Sequence, residues 1–233
     1  MASEQALQRF GQKAGITWGE AFARNESKPC AVKGCPEHRY QISQYCRKHY
    51  NTSKRWGHPE GIPIHPWHYH QEIEEVSRII KRNRDHIGIV DRRAFLRDAI
   101  RMGHEILREG RLETENTVPF PQYFDPLYEA EADPEEVLIR LAGIWLYTHR
   151  NIGPVAPCKD EKHQLYLLGN ALIRFIPGAV PNNFKYHARR EIGQYLYRGI
   201  GVLLVNITNT IEREIASRER TERIQGANLE VNY

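Results

Sequence analysis

Apolar residues recur along most of this chain at intervals of three and four, the period of a helix rather than of a strand. Residues 3–24 place Leu7, Phe10 and Ala14 on one side. Residues 71–84 align Ile73, Val76 and Ile80. Residues 91–109 repeat Phe95, Ala99, Gly103 and Ile106, with Leu96, Ile100 and Leu107 beside them and Asp91 standing where an N-cap would. Asp133-Pro134-Glu135-Glu136 reads as a helix start: a cap, a proline in the first turn, and two acids at the positive end of the dipole. The helix it opens carries Val137, Leu138, Leu141, Ile144 and Trp145 and ends near Gly153-Pro154. Another spans about 160–176. The last begins after Pro181 and continues to about Ile224, with Phe184, Ala188, Ile192, Tyr195, Gly199, Leu203, Ile207 and Ile211 along one face. No hairpin dipeptide sits between two alternating runs. The expected fold is mainly α.

Three stretches break the helical pattern. Residues 28–57 have few aliphatics and hold Cys30, Cys35, Cys46 and His49. Residues 58–70 carry three prolines and four histidines and read as a linker or an ordered irregular loop. Residues 113–136 hold eight acids and no Lys or Arg, and Pro119, Pro121 and Pro126 there exclude a regular helix. The chain therefore divides into an N-terminal helix (1–27), a small module (28–61), a helical segment with a basic stripe and an acidic loop (62–136), and a C-terminal bundle with its long helix (137–233).

Composition narrows the function classes. With 233 residues, 40% hydrophobic and 27% charged, the chain has material for one good core, or a core plus a small satellite, and wholesale disorder is not expected. The formal net charge of +4 does not by itself indicate nucleic acid. The longest apolar stretch, Ile200 to Val205, is broken by Gly201 and is too short to span a bilayer, so no membrane partner is expected. The N-terminus lacks the basic-then-apolar design of a signal peptide. Four cysteines are too few for a disulfide scaffold, and three have metal-ligand spacing, which suits a reducing cytoplasm.

The specific chemical signal is Cys30-x4-Cys35-x10-Cys46-x2-His49. Zinc takes four soft or borderline ligands at tetrahedral angles, and chains supply them as two close pairs with a spacer between. Gly34 lets the backbone curl so that both sulfurs of CAVKGC face one point. The C-x-x-H spacing puts the second pair at the first turn of a helix. A turn giving one pair and a helix start giving the other is the plan of a treble-clef-like finger holding one structural zinc ion.

These residues carry a resemblance. PCAVKGCPEH and YCRKHYNTSKRWGHPEG, within residues 28–61, are similar to the small Cys3His zinc module found beside HNH endonuclease domains in bacteriophage proteins. The resemblance implies a zinc-dependent DNA-contacting module of phage or mobile-element origin, with Cys30, Cys35, Cys46 and His49 as its ligands and a bacterial host cytoplasm as its setting. The rest of the chain shows no HNH signature, so the nuclease activity is not implied.

Local charge points the same way. Residues 28–57 hold Lys28, Lys33, Arg39, Arg47, Lys48, Lys54 and Arg55 against Glu37 alone. Lys33, Arg39, Arg47, Lys48, Lys54 and Arg55, with Trp56, are the candidate nucleic-acid contacts: cations for phosphates, an aromatic for a base or sugar. The competing reading is a solvated face, with Trp56 covering a poorly filled core. A second basic zone, Arg78, Lys81, Arg82, Arg84, Arg92, Arg93, Arg97 and Arg101, lies either on a partner's surface or against the acidic 113–136 segment inside the fold. His58, His65, His68 and His70, with Glu72 and Glu74 just beyond, are the candidate second site, for a metal or for acid–base cleavage of a phosphodiester. They satisfy no known nuclease spacing, and Trp67 and Tyr69 among them suit a packed aromatic loop instead. Cys158, with His163 five residues on, reads as a lone semi-buried thiol or half a metal site.

The reading is a zinc-containing nucleic-acid-binding protein, DNA before RNA, with no assigned catalytic residue. The rivals are a protein-interaction factor or inhibitor of a host complex, and a metal-dependent nuclease with an unrecognised site. The C-terminal helix is longer than a body of this size needs. It either joins subunits near Leu203, Ile207 and Ile211 or forms the centre of its own bundle.

Overall fold

A proline-fixed start and an aspartate cap set the helix at the heart of the body. The Asp133 side chain accepts from the Glu135 backbone N–H, and the helix runs Pro134–Arg150. The computed structural model describes residues 17–110, 118–179 and 187–230, with side chains to residue 222. Among them are eight α-helices: α1 (Trp18–Glu26), α2 (Arg47–Trp56), α3 (His70–Arg82), α4 (Ile87–Glu109), α5 (Asp125–Glu129), α6 (Pro134–Arg150), α7 (Glu161–Ile173) and α8 (Ala188–Glu230). No strand occurs among the described residues, only the isolated bridges Pro29–His38 and Ile152–Cys158. The protein is mainly α, as its periodicity predicts, with a long C-terminal helix. No helix among the described residues is long and apolar enough to cross a membrane.

The chain forms two compact units, Met1–Pro63 and Ile64–Tyr233. In the second, Val76 and Ile80 of α3, Leu96 of α4, Leu127 of α5, Leu138 and Leu141 of α6, Leu168 and Leu172 of α7, and Ile192, Leu196 and Ile200 of α8 are all fully buried. Residues 62–136 and 137–233, read as separate segments from composition, thus share one core. α7 lies along α8 and α3 along α6. Arg150, at the end of α6, ties three helices together by reaching Glu75 (2.9 Å) and Glu72 (3.6 Å) of α3 and Glu212 (2.8 Å) of α8.

Several boundaries differ from the sequence reading. α4 starts at Ile87, not Asp91: the His86 ring Nδ1 accepts from the Gly88 N–H at 3.1 Å, and the added turn buries Ile89. Pro126 does not prevent a helix, because it occupies the first turn of α5, where no N–H is needed. The buried stripe of α8 includes Leu196, Ile200 and Leu204 beside Ala188, Ile192, Ile207 and Ile211. Ile207 and Ile211 are each 4% exposed, packed within the bundle of their own chain, while Leu203 is half-buried. Leu7, Phe10, Ala14 and Phe184 lie outside the described residues.

The helix α5 ends in a Schellman motif. The Ala132 N–H donates to the Leu127 carbonyl (2.9 Å) and the Glu131 N–H to that of Tyr128 (3.0 Å), with Glu131 left-handed at φ 49°. Glycine ordinarily takes this position, because a side chain there crowds the following carbonyl. Glu131→Gly should stabilise the body by about 1 kcal/mol and raise Tm by about 2–4 °C, read by far-UV circular dichroism. A lower Tm would mean that the Glu131 side chain contributes more than its backbone costs.

Candidate metal centre and basic helix face

The first unit builds its site from a turn and a helix start. Cys30 sits where the Pro29–His38 bridge pairs the chain, its N–H donating to the Glu37 carbonyl at 2.9 Å. From there Val32 to Cys35 turn tightly, the Cys35 N–H reaching the Val32 carbonyl at 3.1 Å, with Gly34 left-handed at φ 77°. A β-carbon is disfavoured at that angle, which explains the glycine between two cysteines. The second pair arrives on α2: Cys46 is its N-cap residue and His49 lies in its first turn.

The four ligand atoms of Cys30, Cys35, Cys46 and His49 all lie within 4.8 Å of one another. His49 Nδ1 is 3.5 Å from the Cys30 sulfur and 3.3 Å from that of Cys46, and the Cys35 and Cys46 sulfurs are 3.9 Å apart. A tetrahedron drawn at zinc bond lengths has edges of about 3.8 Å between sulfurs and about 3.6 Å between sulfur and nitrogen. The spacing fits a single ion at the centre. These residues lie close enough to hold one metal ion, and their soft donor set matches the tetrahedral cage.

The thiols of Cys30 and Cys35 are shifted in opposite directions. Burial pushes the Cys30 thiol up, but the N–H groups of Val32 and Cys46 donate to its sulfur, and with His49 and Cys35 they bring it down to about 6. At Cys35 the Glu37 N–H lowers the pKa, yet burial and the neighbouring sulfurs of Cys30 and Cys46 raise it further, so the net shift is upward. One low and one high thiol is what neighbouring sulfurs sharing a proton produce.

α2 separates metal ligation from charge. At 100° per residue, Arg47, Lys48, Asn51, Lys54 and Arg55 fall on one arc, and all five are exposed. His49, Ser53 and Trp56 fall on the opposite side and are half-buried. The cations also meet rings: Arg47 lies 5.8 Å from the Tyr40 centroid, Lys54 4.4 Å from Tyr50, and Arg55 5.5 Å from Trp56. Tyr40 and Tyr50 were not singled out by sequence, since nothing in their spacing marks them. Lys33 is exposed on the metal-binding turn. Arg39 has another role: half-buried, it donates to the Pro29 carbonyl (3.0 Å) and to Asn25 Oδ1 (3.4 Å) and braces the module.

Part of the second basic zone pairs with acids inside the body. Arg84 (2.9 Å) and Arg93 (2.6 Å) both reach Glu135, and Arg82 pairs with Glu214 at 2.5 Å. Arg108 bonds Asp125 at 3.0 Å and also Glu129. Glu135, Asp125 and Glu129 belong to the acidic 113–136 segment, so the internal pairing anticipated for it occurs.

The other candidates do not assemble a site. Among the described residues, Cys30, Cys35, Cys46 and His49 form the one group of three or more His, Cys, Asp or Glu ligands close enough to share an ion. His58 accepts the Glu60 N–H (3.1 Å), His68 accepts the His65 N–H (2.9 Å), and His70 sits 3.5 Å from Glu74. His65 stacks on Trp67 at 4.1 Å and 7°, so the segment is an ordered aromatic turn. Cys158 is fully buried with its sulfur on the Asp160 carbonyl (3.5 Å), and burial pushes its thiol up to about 12, an inert state. The chain matches no family model, no curated protein and no solved structure.

Proposed function

We propose that the first unit is a nucleic-acid-binding module folded around one structural zinc ion, and that it contacts DNA through the outward face of α2. The observation that carries this reading is the division of α2, with His49 on one side and Arg47, Lys48, Lys54 and Arg55 on the other. A helix anchored by the ion at its start presents a rigid row of cations, the arrangement that phosphate contacts need. Four protein ligands close the shell and leave no place for substrate or activated water, so the ion's role is structural. The similarity to the phage Cys3His module favours DNA and a phage or mobile-element origin. Thiolate ligation suits a reducing cytoplasm.

Binding to a labelled 20-base-pair duplex, followed by anisotropy, tests the reading. Affinity should fall with salt at a slope of about −0.9 per phosphate contacted, hence about −3 to −4 for four cations. Arg47→Glu with Lys54→Glu should weaken binding at least tenfold and flatten that slope, with metal content and helicity unchanged. Equal affinity in the variant would remove α2 as the contact surface. Cleavage of plasmid DNA with Mg²⁺ or Mn²⁺ would favour a nuclease instead.

A further inference from the structure

The helical body holds a cleft of about 540 Å³ between α4 and the α5–α6 corner, remote in kind from the metal centre and unexplained by it. That volume lies in the range of small-molecule sites, roughly 300–1,000 Å³. Its floor is apolar, made by Ile100 and Leu127, which are otherwise buried, and by Pro134. One wall is a fixed aromatic pair. The His104 and Tyr128 rings stack at 4.0 Å and 16°, and Asp125, 5% exposed, holds His104 Nδ1 at 2.8 Å. Arg108 in turn fixes Asp125 from a second side, so the imidazole cannot swing away.

The rim is cationic. Arg97 and Arg101 line the cleft, and their carboxylate contacts, Asp98 at 3.6 Å and Glu105 at 3.5 Å, are longer than the about 2.7–2.9 Å of a charge-assisted hydrogen bond. A guanidinium has five N–H donors, so both keep capacity for an incoming oxyanion. Of the acids in the lining, Glu129 is engaged by Arg108, which leaves Glu131 against two arginines.

We infer that this cleft binds a small aromatic anion, its ring against the His104–Tyr128 wall and the apolar floor, its carboxylate, sulfonate or phosphate at Arg97 and Arg101. The two halves of such a ligand match the two halves of the lining. An apolar body is removed from water over Ile100 and Leu127, while the charged end stays at the solvent-facing rim, where desolvation is cheapest.

Two fluorescent probes that differ mainly in charge separate the parts of this proposal. 1-Anilinonaphthalene-8-sulfonate carries the anion, and N-phenyl-1-naphthylamine has a similar aromatic body without it. The full-length folded protein should bind the sulfonate saturably at one site. Arg97→Ala with Arg101→Ala, both at exposed positions, should raise its Kd at least tenfold and leave the neutral probe unchanged. Tyr128→Ala should weaken both probes. Near-UV circular dichroism on each variant establishes that the core is intact. Absence of saturable sulfonate binding, or binding that ignores the arginine pair, would overturn the assignment.

Discussion

Cys46→Ala should release the metal and unfold residues 28–57, while the helices of residues 64–233 keep their signal. The described residues of the first unit have hydrogen bonds but little apolar core besides the ligands. Among its described residues the buried side chains are Cys30, Cys46 and Pro59, and no large aliphatic joins them. A segment of that size without a core folds only as far as metal binding drives it, because the binding free energy is its folding free energy. Even a residue outside the first coordination sphere typically costs about 10–100-fold in affinity, and a ligand costs more. Zinc content by chromogenic chelator should fall from one per chain to well below that, and protease should then cut within residues 28–57. Acid should do the same to the wild type. Cys30 is lowered to about 6 before any ion is added, so its thiolate contribution is present at neutral pH and lost as pH falls through that value. A bound cation pulls the thiol lower still, which places release below pH 6. A metal-free Cys46→Ala protein that resists protease across this segment would refute the structural role.

The metal cluster was legible because its information is local. Four ligands within twenty residues, a glycine in the first turn and a C-x-x-H at a helix start needed no knowledge of the body. The same holds for α6, whose Asp133 cap and Pro134 start stand side by side in the chain. What sequence could not show depends on distant partners. For the basic zone the sequence left a partner's surface and the acidic 113–136 segment as alternatives, because the Glu135 that Arg84 and Arg93 reach lies 51 and 42 residues away. Arg82 finds Glu214 132 residues on. The start of α4 was missed because histidine is seldom a cap, and because the burial of Ile89 by the rest of the fold drives the extra turn. The α8 stripe holds at Ala188, Ile192, Ile207 and Ile211 but is one residue off between them, at Tyr195, Gly199 and Leu203, since the helix serves two neighbours. Gly199 faces Phe95 of α4 while Gly193 faces α7, and the two rows merge into one broad buried face.

Gly169→Ala and Gly193→Ala should each destabilise the body, although helix propensity alone predicts the opposite sign. A mid-helix glycine replaced by alanine gains about 1 kcal/mol where nothing else intervenes. Here α7 and α8 cross glycine against glycine. A β-carbon on Gly169 would lie 1.8 Å from the Arg189 carbonyl oxygen, and one on Gly193 would lie 1.8 Å from that of Leu165. Both obstacles are main-chain atoms of a helix, so no rotamer change relieves them, and the crossing must open by more than about one ångström to reach van der Waals distance. Opening it pulls Leu168 and Leu172 away from Ile192 and Leu196, four side chains that are now fully buried. Overpacking of this kind costs about 1–3 kcal/mol or more before any gain in propensity is credited. The clash outweighs that gain, and Tm of the 64–233 unit should drop by several degrees for each single change. The two together should cost less than their sum, because one opening of the crossing accommodates both methyl groups. Urea unfolding of the two singles and the double completes this cycle. Stabilisation by either alanine would show that the helices part without loss, and the close crossing would then have no structural importance.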